Sequence, residues 1–258
     1  NRYFDVACWD RSRVKITPKE ADTDYIHANY VDHCGRPNKY VATQGPLKET
    51  VNQFWQMVWE QNSRIIVMLT KLQENGKEKC AQYWTAFGSK QDIFVTNEFS
   101  IKTLEETKNN SGYTRSLFEV FNSTTEESRL ILHYQYVDWP EYGAPTNTKS
   151  FTNLIWDVND QYRSTLINEV NRLTPGPIIV HCSAGVGRTG TFCAIDSCIY
   201  QLAKTKEVSV PKIVMQIREQ RHGAVIAVEQ YVFIYSVLHE FLQLFDMSAE
   251  MRQFFCEP

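Results

Sequence analysis

The spacing of apolar side chains along the chain changes period several times, and each change marks an element. Val51, Phe54, Trp55, Val58 and Trp59 recur at helical spacing across Val51 to Gln61, and the uninterrupted run Ile65-Ile66-Val67-Met68-Leu69 then predicts a buried strand. From Gln91 to Val137 the pattern is strand-rich. Leu130, Leu132, Tyr134 and Tyr136 alternate there with Ile131, His133 and Gln135 in a period of two. Beyond Pro145 helices take over. One is predicted over Phe151 to Val170, a short apolar strand over Pro177 to Val180, and a helix with Phe192, Ile195, Ile199 and Leu202 on one face. Pro211 suits the first turn of the next helix, which runs towards Arg221, and Tyr231, Ile234, Leu238, Phe241 and Phe245 stripe a last one. No repeat, low-complexity tract or Pro/Gly/Ser linker interrupts this order. The expectation is one continuous α/β domain over residues 1–258, with a mixed sheet covered by helices.

Composition narrows the partners. The chain has 258 residues, 43% hydrophobic and 13% aromatic, enough for one substantial core. Its 27 basic and 30 acidic residues leave a net charge of -3, with no whole-molecule attraction to nucleic acid or an anionic membrane, so an anion site must be local. The seven cysteines are odd in number and scattered, which predicts reduced thiols and a cytoplasmic location. Asn1-Arg2-Tyr3-Phe4-Asp5-Val6 lacks the pattern of a secretory signal, and no window reaches the ~18 apolar residues of a membrane span.

The chemistry concentrates in His181-Cys182-Ser183-Ala184-Gly185-Val186-Gly187-Arg188-Thr189-Gly190. Strand, glycine-rich turn and helix succeed one another here, which is how backbone N–H groups are gathered to face an anion at a helix N-terminus. Gly185-x-Gly187-x-x-Gly190 formally matches a dinucleotide fingerprint, with Glu207 near the expected distance, but that motif should open a βαβαβ unit and here only two helices and a tail follow. A Walker loop fails because Thr191 stands where a lysine is required. A zinc site on His181 and Cys182 lacks a second ligand pair at zinc spacing. The remaining reading is nucleophilic. Cys182 and Arg188 alone, seven residues from end to end, would arise by chance about a third of the time in such a chain, so context carries the weight. Cys182 opens the loop and Arg188 closes it, which puts the sulfur inside a ring of N–H donors from Ser183 to Arg188; such a concavity favours an anionic sulfur and holds a phosphate dianion. Arg188 offers a planar fork to phosphate oxygens, His181 can orient the loop, and the Thr189 hydroxyl can donate to a leaving thiolate. Cys193 and Cys198 read as ordinary buried thiols.

These residues carry a resemblance. The chain resembles the phosphotyrosine-specific protein tyrosine phosphatases from Asn1 to about Phe245, through Asn1-Arg2-Tyr3-x-Asp5, Asp24-Tyr25-Ile26-His27-Ala28-Asn29, Thr43-Gln44-Gly45-Pro46, Phe54-Trp55-x-Met57-Val58-Trp59-Glu60-Gln61, Lys79-Cys80-x-Gln82-Tyr83-Trp84, Trp139-Pro140-Glu141, the cysteine loop, and Gln220-Arg221-x-Gly223 through Gln230-Tyr231. The family's helices ahead of the Asn-Arg-Tyr motif are absent, so a trimmed domain is expected. The resemblance implies a single, highly twisted mixed β-sheet flanked by helices and a cysteinyl-phosphate mechanism with no metal or cofactor. Phosphotyrosine-containing proteins are the implied partners, with no nucleic acid and no membrane contact by this domain itself. It implies that Tyr3 stacks on the substrate ring and sets pocket depth, that Asp5 accepts the substrate's backbone N–H, that Lys79 brings positive charge to the rim, that Glu74 holds Arg188, and that Ser183, Ala184, Gly185, Val186, Gly187 and Arg188 bind the phosphate.

Two departures from the family pattern bear on turnover. The acid, normally an aspartate after Trp-Pro, is Glu141; the extra methylene moves its carboxyl group, and ~1 Å of misplacement can cost ~10²-fold. Asp138 is a lower-ranked substitute. In Gly223-Ala224-Val225-Ile226-Ala227-Val228-Glu229-Gln230-Tyr231 the glutamine that positions the hydrolytic water is replaced by Ile226, leaving Gln230 to serve in part. His27 stands where the family has asparagine and should alter a structural hydrogen bond. The expected activity is a slow phosphatase, impaired more in hydrolysis of the phosphocysteine than in its formation. The alternative is a phosphotyrosine-binding or substrate-trapping module like the second domain of a tandem receptor phosphatase.

Overall fold

The computed structural model describes residues 1–19, 23–34, 36–140, 143–168 and 176–247. In chain order the strands are β1 (Arg13–Lys15), β2 (Tyr25–His33), β3 (Arg36–Thr43), β4 (Ile65–Met68), β5 (Gln73–Glu74), β6 (Lys77–Glu78), β7 (Ile93–Val95), β8 (Phe99–Lys108), β9 (Tyr113–Asn122), β10 (Glu127–Tyr136) and β11 (Ile178–His181). The helices are α1 (Val51–Glu60), between β3 and β4, then α2 (Thr148–Asn168), α3 (Gly187–Thr205), α4 (Val210–Gln220) and α5 (Val228–Met247). Each element anticipated from periodicity is present among the described residues; Val170, at the end of the anticipated second helix, lies outside them.

Nine strands form one mixed sheet in the order β1-β2-β3-β11-β4-β10-β9-β8-β7, and β5 and β6 make a separate hairpin. β11 lies inside the sheet, between β3 and β4. It runs parallel to β3 on one side, with His181 opposite Thr43, and to β4 on the other, with His181 opposite Met68. The three strands therefore end together, and the loops that leave them share one rim, the carboxyl edge at which parallel strands present ligand sites. No βαβαβ unit follows β11: α4 and α5 lead to no further strand among the described residues, which disposes of the dinucleotide reading.

Side-chain alternation splits the core in two. Ile178 and Val180 face α2, α3, α4 and α5, where Phe151, Phe192, Ile195, Val214, Ile234 and Val237 are buried. Ile179 faces α1, where Phe54, Trp55 and Val58 pack with Val41, Ile66 and Met68. Because helices cover both faces, the alternation in β10 does not divide core from solvent. Ile131, His133, Tyr134 and Tyr136 are all buried, and the exposed residues, Glu127, Ser128 and Leu130, lie in the first four positions of the strand. α3 is buried nearly all round, from Gly187 to Ala203, as befits a helix inside a layer rather than on its surface. A buried polar cluster fastens it to the sheet: Lys39 Nζ on β3 donates to Asp196 Oδ2 on α3 at 2.6 Å and to Asn159 Oδ1 on α2 at 2.8 Å, and the Tyr40 hydroxyl donates to the same carboxylate.

Candidate active site

Cys182 follows directly after β11 and is 5% exposed, at the floor of the rim the three parallel strands share. The loop from Cys182 to Gly187 turns its carbonyls outward. Ser183 C=O accepts from Gly45 N–H at 2.9 Å, Ala184 C=O from Arg221 Nη2 at 3.0 Å, and Gly185 C=O from Arg221 Nε at 2.9 Å. Since a trans peptide sets its N–H opposite its C=O, these anchors aim the amides of residues 184–186 into the loop. The Gly185 amide accordingly donates to Cys182 Sγ at 3.3 Å. Gly185 has φ +71° and an added Cβ would run into the Thr43 carbonyl, so both conformation and space demand glycine there.

Arg221 is the keystone that sequence reasoning left without a role. It is wholly buried, and its remaining hydrogen bonds go to Asn29 Oδ1 at 2.8 Å and His27 Nδ1 at 3.0 Å. His27 Nε2–H donates to the Val6 carbonyl at 3.0 Å, which fixes the tautomer that leaves Nδ1 as acceptor. The histidine expected to alter a structural bond thus links the Tyr3 segment to the arginine behind the cysteine loop. Burial pushes the Arg221 guanidinium down to about 10 and, with the Arg221 charge beside it, His27 down to about 4. At neutral pH the arginine is therefore a cation and His27 is neutral.

A second relay holds the Cys182 backbone from the α1 side. His181 Nδ1–H donates to the Cys182 carbonyl at 3.2 Å; its Nε2 accepts from the Tyr83 hydroxyl at 2.8 Å, whose oxygen accepts from His133 Nε2–H at 2.8 Å. All three side chains are buried, and desolvation pushes His181 to about 4 and His133 to about 3, so both rings are neutral links of fixed direction. No local pattern signals this relay, because Tyr83 is 50 residues from His133 and 98 from His181.

Arg188 stands in the first turn of α3, aimed by a carboxylate. Its Nη1 donates to Glu74 Oε1 at 2.6 Å and to the Leu69 carbonyl at 3.1 Å, and its Nη2 to Glu74 Oε2 at 2.8 Å. Burial alone would raise the Glu74 carboxyl, but the hydrogen bonds and charge of Arg188, with Thr70 and the Lys71 amide, hold it below its usual range. Nη2 also donates to the Pro140 carbonyl at 3.1 Å, which ties the segment ahead of Glu141 to the guanidinium. Trp139 anchors that segment: it is buried, packs against Phe151 and Phe233, and donates Nε1–H to the Gly143 carbonyl at 3.2 Å. Glu141 lies outside the described residues. Asp138 is directed elsewhere, with its carboxylate against Gly112 at the β8–β9 turn.

Other anticipated residues gather at the same rim. The Tyr3 hydroxyl is 2.9 Å from Ser183 Oγ, and Arg2 clamps the preceding turn to the carbonyls of Gly45, Pro46 and Glu78. Lys79 follows the β5–β6 hairpin, and its carbonyl and that of Cys182 flank Gly45. Asp5 is exposed, two residues beyond Tyr3. The Thr189 hydroxyl is buried with no hydrogen-bond partner among the described residues. At the start of α3, Val186 and Gly187 meet the segment before α5: Val225 N–H donates to the Val186 carbonyl at 3.2 Å, and the Gln230 amide and Ile226 Cγ2 close over Gly187. Gln230 is 7% exposed while Ile226 is 69% exposed. Cys193 and Cys198 are buried in the core, and burial pushes both thiols up. Among the described residues the cysteines are unpaired, no His/Cys/Asp/Glu group could hold a metal ion, and no helix is long and apolar enough to cross a membrane.

A buried cysteine at the carboxyl edge of a parallel sheet, with loop amides turned inward beside it and an anchored arginine in the first turn of the following helix, is an arrangement that can receive an oxyanion. The chain matches the protein-tyrosine phosphatase family over residues 1–240 and belongs to that family. It is 38% identical over 250 residues to human tyrosine-protein phosphatase non-receptor type 9, covering 94% of this chain and 42% of that protein. It is 38% identical over 258 residues to tyrosine phosphatase H3 of Microplitis demolitor bracovirus (isolate Webb), covering 92% and 79%, and 39% identical over 253 residues to rat receptor-type tyrosine-protein phosphatase zeta, covering 93% and 10%. The chain thus spans less than half the length of the non-receptor type 9 enzyme.

Proposed function

We propose that this chain hydrolyses phosphotyrosine in proteins, at a cytoplasmic location, through a covalent phosphate on Cys182, and that the second half-reaction is slow. The observation that carries the reading is the joint placement of Cys182 Sγ on the Gly185 amide and of Arg188 on the Glu74 fork. Three carbonyls of the loop are turned outward, so its amides converge where an oxyanion would lie. In the first step Cys182 Sγ attacks phosphorus, the P–O bond to tyrosine breaks with its electron pair going to oxygen, and Glu141 supplies the proton. In the second step water attacks phosphorus, the S–P bond breaks, the proton passes to Glu141, and the thiolate leaves with Gly185 N–H and Thr189 as its hydrogen-bond donors. No metal or cofactor enters either step. Tyr3 lines the pocket and fixes its depth, Asp5 takes the substrate backbone, and Lys79 adds positive charge at the rim.

Ile226 has no group with which to orient the water, and the neighbouring Gln230 amide already receives the Ala227 N–H at 3.3 Å. That supports slow release of phosphate from Cys182 and also favours the second reading, a domain that captures phosphoproteins and scarcely turns over. The test is phosphate release from a phosphotyrosyl peptide and its phosphoseryl counterpart. Release from the first, little from the second, and none from either after Cys182→Ser is the expected result. Equal release from both, or release that survives Cys182→Ser, contradicts the proposal.

A further inference from the structure

We infer that an exposed apolar ridge running from Ile226 along α5 docks the polypeptide that carries the phosphotyrosine, selecting apolar side chains at alternate positions on one side of it. The inference rests on the reading of Cys182 as the centre of a phosphotyrosine site.

The inner face of α5 is spent on the core: Phe233, Ile234, Val237, Leu238 and Phe241 are buried. Its outer face should then be polar. Instead it carries Val228, Val232, Tyr235 and Leu242, exposed by 76%, 56%, 48% and 40%, with Ile226 at 69% just ahead of the helix. Single exposed apolar residues need no explanation, but Val228, Val232 and Tyr235 are spaced i, i+4 and i+7, which places them in one line, and Leu242 resumes it beyond the exposed His239. An aligned apolar run left exposed on a helix marks an interaction face.

The ridge adjoins the site. Ile226 Cγ2 lies 3.1 Å from where a Cβ on Gly187 would stand, and Gly187 is part of the anion loop. Exposure is greatest at that end and declines along the helix to Leu242, so the apolar surface is centred on the mouth and not on the helix as a whole. Spacing agrees with an extended peptide. Four helical residues rise about 6 Å, close to the roughly 6.6–6.8 Å between alternate side chains of a strand. A peptide leaving the loop across Ile226 can therefore set successive alternate side chains against Val228 and Val232. Tyr235, edge to face with Tyr231 at 5.7 Å, continues the ridge beyond Val232.

The test uses Cys182→Ser protein, with the native ridge or with Val228→Glu and Val232→Glu together. Two phosphotyrosyl peptides, bearing isoleucine or serine at alternate positions on both sides, are titrated by fluorescence anisotropy beside their unphosphorylated forms. The native ridge should bind the isoleucine phosphopeptide about tenfold more tightly, from the burial of one or two side chains. In the glutamate variant the preference should fall to about twofold or less, with the serine phosphopeptide bound as before. Equal affinity for the two phosphopeptides, or a preference that survives the glutamates, overturns the inference while leaving the phosphotyrosine site intact. If neither phosphopeptide binds better than its unphosphorylated form, the site reading itself fails. Sedimentation of the native protein as a dimer that the glutamates dissolve assigns the ridge to a second copy and also overturns the inference.

Discussion

At the scale of single residues, the site depends on side chains that hold the loop as much as on those facing the substrate. Arg221 is buried beneath Ala184 and Gly185 and satisfies both carbonyls, while Arg188 borrows its aim from Glu74. A lysine in place of Arg221 would keep the charge but not the fork, so one or more of the four acceptors would lose its partner. Arg221→Lys is expected to lower kcat/KM for an aryl phosphate about 10²-fold, the usual effect of losing one preorganised donor; a loss under threefold would show that the loop stands without it. Ile226→Gln addresses the other half of the reaction. It should raise the dephosphorylation rate constant, read in steady state after a burst, with little change in the burst rate. An equal gain in both would remove Ile226 from its assigned place.

At the scale of elements, helix and strand positions were legible because their periods are local. The α1 stripe and the buried runs of β4 and β11 appear in the residue pattern as they do in the fold. The partners that make the site were not legible, because they are far apart in sequence. Arg188 and Glu74 are 114 residues apart, and Arg221 and His27 are 194 apart. Motif position pointed to Glu74, and nothing short of three dimensions gave Arg221 its task. The face of a strand was also hidden: His133 sits at a position that alternation leaves ambiguous, because helices or loops cover both sides of β10. Its relay through Tyr83 to His181 can be tested. Tyr83→Phe leaves two buried ring nitrogens without a partner and should destabilise the fold by roughly 2–4 kcal/mol in urea unfolding. A change below about 0.5 kcal/mol would mean that the relay is not a structural link.

At the scale of the whole molecule, four histidines are folded into the interior as neutral rings: His27, His33 and His181, each held at about 4, and His133, at about 3. Desolvation is the leading cause in each. Their unfolded counterparts protonate near 6.5, so between pH 6.5 and about 4 the unfolded chain binds more protons than the folded one. Stability from these groups is complete above pH 6.5 and is lost as the pH falls through that window, at about 1.4 kcal/mol per pH unit for each ring once the unfolded form is protonated. Asp196 adds in the same direction at lower pH: burial raises its carboxyl, but the Lys39 charge and the hydrogen bonds from Lys39 and Tyr40 hold it below the usual range. Urea midpoints should therefore be level from pH 8 to about 7 and fall steeply towards pH 5. A flat profile down to pH 5 would mean that these rings are charged or exposed in the folded state.

The whole molecule also sets what the central claim must deliver, since the sheet order, the carboxyl edge and the loop anchors converge on one sulfur. Stopped-flow mixing with an aryl phosphate, followed by acid quench and peptide mass analysis, reads that claim directly. The predicted result is a phenol burst close to one equivalent per chain, a slower steady state, and a phosphate adduct on the peptide containing Cys182. Linear phenol release with no adduct, or an adduct on any other residue, would contradict it.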